Sequence, residues 1–122
     1  MEKRIAARDI RLKPLHRPAS AADGARILID HLWPRGVSKC NAAIDLWARD
    51  MSPSLALRQW FGDDPARWPE FHRRYAAELR GRPDQLAALR AMARRGPVTL
   101  VFAVPDELRN DAAVLRGVLL GR

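Results

Sequence analysis

Val98-Thr99-Leu100-Val101-Phe102-Ala103-Val104, closed by Pro105-Asp106, is the stretch that decides the fold. It is rich in β-branched residues and almost wholly apolar, with no inside-outside alternation. A strand of that kind is buried on both faces, as in a parallel sheet covered by helices, and it belongs at the sheet's centre. Arg26-Ile27-Leu28-Ile29-Asp30 has the same unalternating apolar middle. Asp9-Ile10-Arg11-Leu12-Lys13 alternates, the pattern of a half-exposed strand. The segment between these two, His16 to Gly24, carries Pro18, Ser20 and Asp23 and reads as a loop ending in an Asp-Gly turn.

Helical signals fill the chain before the central strand. Ser52-Pro53 looks like a cap with proline at the first helical position, starting a helix to about Phe61 with Leu57, Trp60 and Phe61 on one face. Asp64-Pro65 repeats that signal, but Pro69 falls in what would be the second turn. The expectation is therefore a first turn over 65–68 and a regular helix from Pro69 to Arg80. Pro83 opens another helix, with Leu86, Leu89 and Ala93 inward, ending near Gly96-Pro97. Asp106 is expected to cap a last helix whose inner face is Leu108, Ala112, Leu115 and Leu119. Ser38 can cap a short turn over 39–43, and Ile44 to Ala48 is expected to be extended. Strands alternating with helices give an α/β fold: a small layered domain, mainly parallel sheet with helices packed on it. At 122 residues, 1–122 reads as a single domain, with 1–8 a frayed lead-in.

Composition bounds the function classes. Hydrophobic residues make up 48% and charged ones 30%, a globular balance rather than a disordered one. No apolar run approaches the roughly 20 residues of a membrane span, and no apolar segment follows the charges at Met1 to Ile5, so no membrane association is expected. A single cysteine, Cys40, cannot form an internal disulfide, and a cytoplasmic location is the expectation. The net charge of +8 and pI near 11.1 fit a polyanion partner, or a solvated Arg-rich surface in an Ala- and Arg-rich chain. The arginines are scattered rather than blocked. There is no Walker loop, no Gly-x-Gly-x-x-Gly and no His-x-x-x-His, so neither a metal nor a cofactor is expected.

In parallel sheets ligands collect beyond the carboxyl ends of the strands. Two such ends carry polar residues here: Asp30-His31-Leu32-Trp33-Pro34-Arg35 and Asp106-Glu107-Leu108-Arg109-Asn110. If the two strands are neighbours, both segments face one crevice. An anionic small molecule, phosphate- or nucleotide-bearing, is the expected ligand. Arg35 and Arg109 would hold the anion, with Lys39 adding charge, while Trp33 walls the pocket. Asp30 and Asn110 complete the ligand-binding set, and His31 and Asp106 are the residues expected to handle protons. Each has a structural alternative: Arg35 pairing with Asp30, Asp45 or Asp106, His31 hydrogen-bonding the loop, Cys40 a small partly buried thiol. A nucleic-acid-binding or regulatory module using the basic surface is the alternative function, though no helix-turn-helix or RNA-binding signature accompanies it. Trp60 and Trp68 fall on apolar helix faces and are expected in the core, with Trp33 and Trp47 open.

Ile29-Asp30-His31-Leu32-Trp33-Pro34-Arg35-Gly36-Val37-Ser38-Lys39 resembles the signature loop of the YeaO-like family, small bacterial proteins grouped as a domain of unknown function. Asp45-Leu46-Trp47, Ser52-Pro53-Ser54, Leu57-Arg58-Gln59-Trp60-Phe61-Gly62 and Asn110-Asp111-Ala112-Ala113-Val114-Leu115 resemble segments that follow in that family. The resemblance covers about residues 10–120 and implies an α/β domain with both loops as family features. It implies no activity. Members usually carry Arg at the position of His31, His at Asp63 and Arg109, and an acidic residue at Cys40. A histidine-based mechanism at position 109 is therefore not expected here.

Overall fold

The computed structural model describes residues 4–38, 42–103, 106 and 108–122. Among these, four strands form one sheet: β1 (Ile10–Pro14), β2 (Ala25–Leu28), β3 (Leu46–Trp47) and β4 (Val98–Phe102). Their order is β1-β4-β2-β3, and every pairing is parallel. The all-apolar strand is indeed interior. Val98 pairs with Ile10 on one side and Ala25 on the other. Four helices complete the α/β domain: α1 (Leu55–Phe61), α2 (Trp68–Arg80), α3 (Pro83–Arg95) and α4 (Asp111–Leu119). No helix among the described residues is long and apolar enough to cross a membrane.

The two sheet faces are closed by different chemistry. Ile10, Ile27, Ile29, Val98, Leu100 and Phe102 point into the helical layer. There they meet Phe71, Tyr75 and Leu79 of α2, Leu86, Leu89 and Ala93 of α3, and Ala112, Leu115 and Leu119 of α4. The other face is closed by a polar centre around Asp23. Its carboxylate accepts from Lys13 Nζ at 2.8 Å, Arg26 Nη1 at 2.7 Å and the Ser20 N–H at 3.1 Å. Arg26 also donates to the carbonyls of Ala42 and Ala43, and Thr99 Oγ1 donates to the Asp23 carbonyl. Asp23 and Arg26 thus tie together β1, β2, β4 and the segment leading to β3. Burial alone would push Asp23 up, but these donors prevail and hold it well below the usual carboxylate range.

Most element boundaries follow the sequence. Pro65–Arg67 is a separate 3-10 turn before α2, as Pro69 requires, and Gly62 ends α1 in the left-handed region. Two helix starts differ. The cap of α1 is Ser54, whose hydroxyl accepts from the Leu57 N–H. Ser52 lies before the helix, its Oγ donating to the Arg49 carbonyl. The cap of α4 is Asn110, not Asp106: its side-chain oxygen accepts from the Ala113 N–H and its amide donates to the Asp106 carbonyl. Leu108 therefore precedes the helix and is 85% exposed rather than inward. The turn expected after Ser38 lies largely outside the described residues, but the Ala42 N–H donates to the Ser38 carbonyl.

Candidate functional site

β2 and β4 are neighbours, so their carboxyl ends open side by side. The chain leaves β2 towards β3, whereas after β4 it turns the other way into α4, which packs on β1 and β4. That divergence is where parallel sheets form crevices. A hollow of about 790 Å³ lies there, large enough for a drug-sized molecule. Asp30, His31 and Leu32 line it from the β2 end, and Asp106, Arg109 and Asp111 from the β4 end. Ser52 and Pro53, then Arg58, Phe61, Gly62 and Asp63 of α1 and its exit, form the third side. Pro65, Trp68 and Phe71 complete the wall. The two bends do share one hollow.

Asp30 stands at the junction. Its carboxylate accepts the Ala103 N–H, linking the two strand ends, while burial raises its pKa. Its carbonyl accepts from Trp47 Nε1 at 2.6 Å. Trp33 meets Trp47 edge-on, with ring centroids 5.5 Å apart, and its own indole N–H donates to the Val37 carbonyl. This explains the large side chains in the loop: the two tryptophans fix the backbone at Asp30. Trp33 and Arg35 do not line the hollow, and Arg35 is exposed. Asn110 is 2% exposed, with oxygen and amide both engaged as the α4 cap. Lys39 and Cys40 lie outside the described residues. Of the residues expected at the site, Asp30, His31, Asp106 and Arg109 are brought together.

The Asp106 side chain is exposed and bound within its own turn. It accepts from the N–H groups of Arg109 and Leu108 and from Arg109 Nε at 3.1 Å, which together hold it below the usual carboxylate range. Burial and the charges of Arg58 and Arg49 lower the pKa of His31.

Two residues not anticipated from sequence dominate the interior. Arg58 projects from α1, whose start is clasped by Glu78 of α2 through the Ser54 N–H at 2.9 Å and hydroxyl at 2.6 Å. Its Nε and Nη1 are buried with no hydrogen-bond partner among the described residues. Asp111 is the first residue of α4. Burial, then the negative charges of Asp30 and Asp63, push its carboxyl up to about 7 against the opposing charge of Arg58. Among the described residues, no group of three or more His, Cys, Asp or Glu could hold a metal ion.

The raised Asp111 carboxyl has a consequence for stability. The unfolded chain ionises it near pH 4, whereas the folded chain keeps the proton until about pH 7. The folded state therefore binds more protons in that window, and this residue's contribution falls as the pH rises through it. Asp111→Asn removes the fall. Its thermal midpoint should match wild type near pH 4 and exceed it by several degrees at pH 8, measured by circular dichroism. A constant difference at all pH values would refute a protonated Asp111.

The fold and its strand-end hollow define a small α/β domain with a composite polar site. The family described as "Inactive DUF488-N3 subclade" matches residues 9–122, and the chain belongs to this YeaO-like family of unknown function. It is 37% identical over 113 residues to the uncharacterised protein Rv3073c of Mycobacterium tuberculosis, covering 93% of this chain and 95% of that protein. It is 36% identical over 107 residues to the uncharacterised protein YeaO of Escherichia coli, covering 88% of this chain and 93% of YeaO. No solved structure matches the chain.

Proposed function

We propose that the hollow binds a small anionic molecule, with the Arg58 guanidinium as its anchor. The observation that carries this reading is Arg58 in the wall of the hollow, with Nε and Nη1 buried and without a hydrogen-bond partner among the described residues. A buried donor on a charged group left without a partner costs about 1–3 kcal/mol or more. A phosphate or carboxylate accepting a charge-assisted hydrogen bond from the guanidinium offsets that cost. This places the anion on Arg58 rather than on Arg35. Proton exchange, if the site performs any, belongs to Asp30 and Asp111 rather than to Asp106, whose carboxylate is taken up by its own turn. The family's description as an inactive subclade supports binding rather than turnover.

Arg58→Met keeps the length of the side chain and removes both orphaned donors. Its thermal midpoint without ligand should equal or exceed that of wild type. Midpoints are then measured against inorganic phosphate, pyrophosphate, citrate and nucleoside monophosphates. Wild type should rise by several degrees with at least one of them, and Arg58→Met should not respond. Equal responses in the two proteins would overturn the reading.

A further inference from the structure

We propose that the ligand is an aromatic molecule bearing N–H donors opposite its anionic group, and that Asp30 and Asp111 read those donors. This rests on the anion reading above and names the ligand class of the same site. The hollow contains one orphaned cation but several acceptors. Arg109 is committed to Asp106 at 3.1 Å, which leaves Arg58 facing Asp30, Asp63 and Asp111. A plain anion would satisfy Arg58 and leave these carboxyl oxygens without a donor. A molecule that is anionic at one end and donor-bearing at the other satisfies both sides.

The remaining wall selects the body of the ligand. Phe61 stacks on Phe71 with ring centroids 4.4 Å apart, and Trp68 lies 5.4 Å from Phe71. Phe61 and Trp68 are only partly buried, so this aromatic cluster offers rings to the hollow. A flat ring lies well against such a wall. Two ligand sources fit: nucleotides with an amino group on the base, opposite the phosphate, and tryptophan, with an indole N–H opposite its carboxylate and an amine beside it.

Isothermal titration at pH 7.5 separates the sources and tests the idea. The probes are adenosine and inosine monophosphate, cytidine and uridine monophosphate, tryptophan, indole-3-propionate and inorganic phosphate. Within each nucleotide pair an exocyclic amino group beside a ring acceptor nitrogen is exchanged for a carbonyl oxygen beside a ring N–H, so the exocyclic donor is present only in adenosine and cytidine monophosphate. Indole-3-propionate is tryptophan without its amine. The donor-bearing member of at least one pair should bind about tenfold or more tightly than its counterpart. Asp111→Asn and Asp30→Asn, tested separately, should each reduce that preference to about twofold while phosphate binding persists. A preference confined to the nucleotides assigns the site to them, and one confined to tryptophan assigns it to amino acids. Equal affinity within every pair overturns the proposal, even where an Arg58-dependent response to phosphate leaves the anion reading standing. A preference that survives both aspartate substitutions also overturns it.

Discussion

Gly24→Ala should lower the thermal midpoint by roughly 10–20 °C, taking about 3–5 kcal/mol of lost stability at roughly 3–5 °C per kcal/mol for a domain of this size. Two effects combine. Gly24 has φ +62°, a region side-chain-bearing residues rarely adopt, and such strain costs about 1–3 kcal/mol. An added Cβ would also sit 2.0 Å from the Pro97 carbonyl oxygen, so backbone must move. That same oxygen accepts the Ala25 N–H at 3.1 Å, at the point where β2 joins β4. The clash therefore falls on the central strand pair. Gly36→Ala is the control: its φ is +74°, but nothing lies within 4 Å of an added Cβ. It should lose only the strain contribution. Equal shifts for the two variants in calorimetry would show that the Gly24–Pro97 approach contributes nothing.

The second large loss is expected at the polar centre. Asp23→Ala should cost about 3–5 kcal/mol, because removing one partner of a buried ion pair strands the other. The stranded group is Arg26, which is 4% exposed and keeps only carbonyl acceptors. Lys13 is less enclosed and can turn to water. The double variant Asp23→Leu with Arg26→Met should recover more than half of the loss, since it leaves no orphaned charge. Failure to recover would locate the loss in the backbone turn rather than in the ion pair. The folded state holds Asp23 ionised far below the point where the unfolded chain protonates it, so its contribution is complete above about pH 4 and fades as the pH falls further. Asp23→Asn should flatten the acid limb of the stability profile.

Much of this fold was legible because burial writes itself into composition. Val98 to Phe102 lacks alternation because both of its faces are covered, and that alone identifies an interior strand. Adjacency of the two polar bends followed from the parallel arrangement. What stayed hidden depends on tertiary placement. Arg58 follows Leu57 on a short amphipathic helix and reads as a solvated side chain. Only the packing of α1 beside α2 turns it into the hollow. Asp111 reads as an acidic residue complementing the dipole at a helix start, and only its burial, beside Asp30, pushes its carboxyl up to about 7. Asp106 and Asn110 are two possible caps four residues apart. The one with both a donor and an acceptor can serve the turn and the helix together. In the loop after β2, Trp33 looked like a pocket wall, whereas its indole holds the loop that positions Asp30.

The strand order carries a lesson about how this chain reaches its native state. β1 and β2 emerge early and never touch as paired strands; the partner that each requires is the same segment, more than 70 residues downstream. β2 can pair early with β3, but neither that ribbon nor β1 can join the other until the central strand is present. A nascent chain leaving the ribosome holds two unmatched edges until residues 98–102 arrive to zip both at once. Assembly is thus a late, nearly all-or-none event governed by long-range closure, and folding should be slow for so small a protein.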